Sequence, residues 1–208
     1  MPGLRTVLAL FLCIWLGGCA TLLRTETAQP VFYRLQPKQQ TLACDQGLKY
    51  GLRIWDLDTS APFNRTRMAV IDSQEEIVFS RENQWVDMPG VMIAEMLHRD
   101  LSQTSFVRPV IYGMPGMDAG YELTGRVHIF ACERGQDDNR AVLKVELSLL
   151  STKGKFAPLV HKTYTLRSAS FAPHTPDAFL QAMNQLAGKL SLQFQQDLCR
   201  AAVSSPGH

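Results

Sequence analysis

Five cysteines and five histidines are the side chains of this 208-residue chain best suited to nucleophilic or metal chemistry. The histidines, His98, His128, His161, His174 and His208, stand apart, none with an acid or a cysteine at ligand spacing. His128 and His161 fall on the polar sides of strand patterns, where surface residues belong. No CxxC and no Cys/His pair has zinc spacing. No GxSxG, HExxH, P-loop or GxGxxG occurs. Asp137 and Asp138 could touch a cation, but their setting in GQDDN is explained by turn chemistry. Tyr121 and Trp55 read as packing aromatics, and Met88, Met92 and Met96, four residues apart, as a core stripe. These residues point to no enzyme, no metal and no cofactor.

Cys19 is different. The chain opens with one Arg, Arg5, then an apolar run over residues 6–16, then Gly17 and Gly18. That is the charged, apolar and small-residue order of a secretory signal, and the run is too short to span a bilayer. Leu16-Gly17-Gly18-Cys19 looks like the lipobox of a bacterial lipoprotein precursor. In such precursors the small residues admit a signal peptidase, the thiol takes a diacylglycerol, and the new amine is usually acylated. Residues 1–18 are thus a signal peptide and Cys19 the lipidation site. Several acyl chains anchor stably where a single one is marginal. Ala20 follows instead of Asp, which resembles the outer-membrane default and places the chain on the periplasmic face of that membrane.

Without residues 1–18 the chain has 190 residues, with 20 basic and 19 acidic side chains. That length suits one domain with a full core, and the balance offers nothing to nucleic acid. Cys44, Cys132 and Cys199 remain, an odd number in an oxidising compartment. Cys44 lies near the start of the folded part and Cys199 at the end of the last helix pattern, so Cys44–Cys199 is the favoured disulfide. Cys44–Cys132 stays open, because Cys132 falls on the polar side of its strand, as do three free thiols.

The elements that would carry these residues read as follows. Residues 19–43, polar with two prolines, form a lipidated tether, although residues 31–35 could be an early strand. Residues 44–202 form the domain and 203–208 a disordered tail. Strands are expected over 48–57, 68–71, 76–79 and 106–112. A helix begins with Asp87 as cap and Pro89 in its first turn, with Ile93, Met96, Leu97, Asp100 and Leu101 on one face. Then come three alternating strands. In the first, Tyr121, Leu123, Val127, Ile129 and Ala131 share a face; in the second, Ala141, Leu143, Val145, Leu147 and Leu149 do; the third covers 159–170. A long helix follows, capped by Thr175, with Phe179, Met183, Leu186, Leu190 and Phe194 as its stripe. The sum is α+β, an antiparallel-rich sheet with two main helices packed on one face.

The layout resembles the ABC-type transport auxiliary lipoproteins, the family of the paraquat-inducible protein C lipoprotein. The residues that carry the likeness are LGGC, VFYRL, APFNRTRMAV, EIVFSRENQWVDMPGVMIAEMLHRDL, FVRPV, YELTGRVHIF, VELSL and the last helix. Arg81 and Trp85 match the family's order of arginine, tryptophan, then helix. One departure is Ser80, where the family usually has tyrosine; the cysteines are also atypical. The resemblance implies a non-enzymatic outer-membrane lipoprotein that works with an MCE-domain protein in ABC-driven phospholipid transport between membranes. It also implies a homo-oligomer. Two other classes stay open: an envelope interaction lipoprotein that activates a cell-wall synthase or helps assemble lipopolysaccharide, and an envelope hydrolase.

Overall fold

The structure, a computed structural model, describes residues 29–116, 118–153, 158–173 and 175–204. The signal peptide, Cys19, residues 20–28 of the expected tether, His174, His208 and residues 205–207 lie outside the described residues.

The strands are β1 (Val31–Tyr33), β2 (Leu52–Ile54), β3 (Asp58–Thr59), β4 (Arg67–Ile71), β5 (Ile77–Trp85), β6 (Val110–Tyr112), β7 (Tyr121–Arg134), β8 (Asn139–Ser151) and β9 (Pro158–Arg167). The helices are α1 (Pro89–Ser102) and α2 (Pro176–Ser204), so α2 includes the first two residues read as tail. Strand β7 is the spine. At 14 residues it is long enough, about 45 Å, to hold three short strands end to end along one edge. There β2 lies beside Tyr121, Glu122 and Leu123, β3 beside Arg126 and Val127, and β4 beside Ala131, Cys132 and Glu133, all parallel. Its other edge pairs antiparallel with β8, which pairs with β9. The sheet therefore forks: beyond β2 lies β6, and beyond β4 lie β5 and then β1.

The α+β class and its two helices stand, but the sheet is mixed rather than antiparallel-rich, with five of eight strand pairings parallel. The cause is length. The alternating runs long enough to read are consecutive hairpin strands, which must be antiparallel. The parallel partners are two to five residues long, too short for a period to show, and are brought in by tertiary pairing.

A second difference lies inside β7. The ladder with β8 slips between Val127 and Ile129. An inserted residue reverses which face each later side chain takes. Tyr121, Leu123 and Val127 face the main core, but beyond His128 it is Phe130 and Cys132 that do so. Ala131 joins a smaller cluster with Phe63 and Ala69, and Ile129 packs on it. Ile129 and Ala131 are thus not on the face of Tyr121, and Cys132 is buried rather than polar-facing.

Both helices cover the main core face. Helix α2 buries Phe179, Met183, Leu186, Leu190 and Phe194 as its spacing dictates, joined by Leu198. Helix α1 buries Met92, Ile93, Met96, Leu97 and Leu101. Its cap residue is Met88, not Asp87, whose carboxylate accepts the Met88 N–H at 2.7 Å. Thr175 donates its hydroxyl to the Ala172 carbonyl at 2.8 Å. Gly90 is required where α1 meets the loop after β2, because a Cβ there would lie 1.9 Å from the Leu57 carbonyl oxygen.

Candidate functional site

Residues 31–35, read as a possible early strand, and 36–44, taken from composition as tether and domain edge, are bound to the domain. Val31, Phe32 and Tyr33 pair parallel with Asn83, Gln84 and Trp85. Leu35 is buried. Beyond it a strap runs along α2. The Gln36 N–H donates to Asn184 Oδ1 at 2.7 Å, the Leu42 N–H to Gln195 Oε1 at 2.8 Å, and Gln195 Nε2 to the Gln40 carbonyl at 2.9 Å. The strap ends where Cys44 and Cys199 are joined as a disulfide, Cα–Cα 5.9 Å. Polar spacing hid this segment, since its hold comes from backbone groups that any sequence carries.

Asp100 underlies the strap. It is 0% exposed. Its Oδ1 accepts from Arg99 Nε and Nη2 at 2.9 and 2.7 Å, and its Oδ2 from the Ser191 hydroxyl at 2.7 Å. Arg99 also reaches the Pro37 carbonyl at 3.3 Å. The buried carboxylate is satisfied by partners from both helices, the condition under which such a group is tolerated.

Trp85 ends β5 in the core. Its ring meets Phe130 edge-on at 5.0 Å and Phe179 at 5.7 Å, tying the sheet to the start of α2. Its indole N–H is buried without a partner, and nothing in the structure explains that. Arg81 is exposed on the same strand, in a stretch where β5 bulges: Gln84 opposes Arg67, but Phe79 opposes Ala69. The structure separates the two motif residues in role, Trp85 in packing and Arg81 at the surface.

Beside that bulge is a cleft of about 570 Å³. Its apolar wall is Met68, Val70 and Val78 from the β4–β5 hairpin, faced by Phe171 and Phe179 before and in α2. Its rim carries Glu82, Asn83, Arg134 and Gln136. Asn139 lines it, and its Oδ1 is buried with no partner. Cys132 lines it too, but burial pushes that thiol up to about 11, with Glu133 adding and Arg134 opposing. At neutral pH it is protonated and a poor nucleophile. On the opposite face of the same hairpin a shallower pocket of about 540 Å³ is formed by Phe63, Ile71, Ile77 and Ile129, rimmed by Asp72, Glu75 and Glu133.

The remaining chemistry-bearing residues are dispersed. His98 stacks on Tyr112, His128 faces Glu146 at 3.6 Å, and His161 bonds Ser148 at 2.7 Å. Tyr121 packs on Tyr50, and Trp55 lies under Arg53. Asp138 sits in the β7–β8 turn, its carbonyl accepting the Gly135 N–H at 2.7 Å. Met92 and Met96 are core, while Met88 is exposed. Among the described residues no three His, Cys, Asp or Glu side chains converge to hold a metal ion. Among them also, no helix is long and apolar enough to cross a membrane. The arrangement offers surfaces and a cleft for binding.

Comparison with known proteins places these features in a family. The crystal structure of protein XCC0632 from Xanthomonas campestris superposes with a TM-score of 0.73 at 13% identity, covering 84% of this chain and 98% of that one. A second crystal structure, of an uncharacterised protein, gives 0.58 at 12% identity over 82% and 99%. At such identities the likeness is one of fold. No curated protein sequence matches the chain. The family of ABC-type transport auxiliary lipoprotein components matches residues 33–194, from the last residue of β1 into the last turns of α2, and the chain belongs to that family.

Proposed function

We propose that this auxiliary lipoprotein is a non-enzymatic, outer-membrane component of an MCE/ABC system that moves phospholipid between membranes, and that it works as a homo-oligomer. The observation that carries the reading is the family match over residues 33–194, downstream of the LGGC lipobox. Acylation at Cys19 would leave twelve residues before Val31, where the chain is already tied into the sheet. Twelve extended residues reach about 40 Å at most, so the domain would work close to the leaflet holding its acyl chains. The family is an auxiliary transport component. Its contribution would be to dock the end of the conduit.

The test has two parts. Cys19→Ala should move the protein from the outer-membrane fraction to the soluble fraction; retention of the variant would contradict the lipid anchor. Crosslinking of the acylated protein in native membranes should capture an MCE-domain protein. Capture of a cell-wall synthase or a lipopolysaccharide-assembly protein would keep the anchor and overturn the transport reading.

A further inference from the structure

We propose that the open edge of β5 at Ile77 and Phe79 is a docking site for an extended segment of another polypeptide, which adds as a strand beside the β4–β5 hairpin. The inference goes beyond the transport reading and does not depend on it. Among the described residues, β5 pairs on one side with β4, and on the other β1 covers only Asn83, Gln84 and Trp85. The Asp72 N–H donates to the Glu76 carbonyl at 3.0 Å. Antiparallel alternation then makes Val70 and Val78 the next hydrogen-bonded pair and turns the N–H and C=O of Ile77 and Phe79 to the open side.

The flanks of this edge suit a strand. Its side chains would alternate between the two faces. On one face they would meet Met68, Val70 and Val78 in the larger cleft, and on the other Ile71, Ile77 and Ile129 in the shallower pocket. Natural edges are blunted with charge, proline or shortness. The other edges obey: β9 carries Pro158, His161 and Lys162, and β6 has three residues. Strand β5 is nine residues long, its Ile77-Val78-Phe79 stretch carries neither charge nor proline, Arg81 and Glu82 coming only after it, and Val78 is 41% exposed. Charge narrows the occupant. The adjoining turn carries Asp72, Glu75 and Glu76, so the incoming segment is a short apolar run, its neighbouring side chains entering the two apolar pockets in turn, with a lysine or arginine where it passes the turn.

The probe is a phage-displayed library of random peptides, panned on the purified full-length acylated protein, with amide hydrogen exchange read in the presence of the selected peptides. Selected sequences should show a continuous apolar run with a basic end and slow exchange at Ile77 and Phe79 at least tenfold. Val78→Lys should weaken them at least tenfold. Glu75→Lys, at an exposed turn position that leaves packing alone, should weaken them severalfold. Thr163→Lys on β9 should change nothing. Selected peptides without the apolar run, or without protection of the two amides, would overturn the proposal. So would the same protection arising when the protein alone is concentrated, which would assign the edge to a second copy, or on adding phosphatidylglycerol vesicles, which would assign it to a lipid surface.

Discussion

The two halves of the sheet are built differently. Where β7, β8 and β9 lie under α2, side chains interlock: Leu143, Val145, Leu147 and Leu149 of β8 and Met183, Leu190, Phe194 and Leu198 of α2 have no exposed surface. Tyr164 adds a hydrogen bond to Asp197 at 2.7 Å, which also receives Lys162 at 2.7 Å. The β4–β5 hairpin has neither cover. It has a cleft on each face, and its aromatic Phe79, half-buried against the Phe63, Ala69 and Ala131 cluster, carries the Arg65 guanidinium 4.0 Å from its ring centre. Burial concentrates stability in the first half and leaves the second free to respond to a partner.

The comparison can be broken by substitution. Trp85 stands at the boundary, and Trp85→Ala should cost about 3–5 kcal/mol through the cavity left against Phe130 and Phe179. Equilibrium urea unfolding measures it. Replacing Cys44 and Cys199 together with serine opens a loop of 155 residues' separation, and a loss of roughly 2–5 kcal/mol is expected in the same assay. The strap amide of Leu42 should then exchange faster, whereas hairpin amides should not change. In the open half, Val78→Ala should shift stability by less than about 0.5 kcal/mol, because the side chain is already 41% exposed.

A pH experiment sharpens the same contrast. Cys132 lies at the border of the cleft, and burial raises its thiol to about 11 from an ordinary value near 9. The folded state favours the protonated form. Its contribution to stability is therefore complete below pH 9 and is lost as pH rises from about 9 to about 11. Iodoacetamide should modify Cys132 slowly at pH 8, with the rate rising only toward pH 11. Rapid modification at pH 8 would mean that the cleft floor opens.

Much of the covered half is legible in the sequence. The inward set read for β8 is buried in the structure, with Val142 buried beside it, and the stripes of α1 and α2 hold as well, because long runs with one wet face leave a period. The fork is not legible. Strands β2, β3 and β4 are too short to carry a period, and they find β7 only through tertiary pairing. The slip at His128 is invisible, since both faces of β7 beyond it are apolar: Phe130 and Cys132 on one, Ile129 and Ala131 on the other. The strap is hidden because it is held through its own backbone groups, which bond the Asn184 and Gln195 side chains, and the cleft because it is made by four segments distant in sequence.

The most direct measurement is site-specific photocrosslinking in living cells, with a photoreactive amino acid at Val78 and, for comparison, at Thr163. The account predicts that position 78 on the open hairpin captures a component of the ABC transport system and that position 163 on the guarded edge does not. Capture from position 163 alone would contradict it and move the working surface to the opposite end of the sheet.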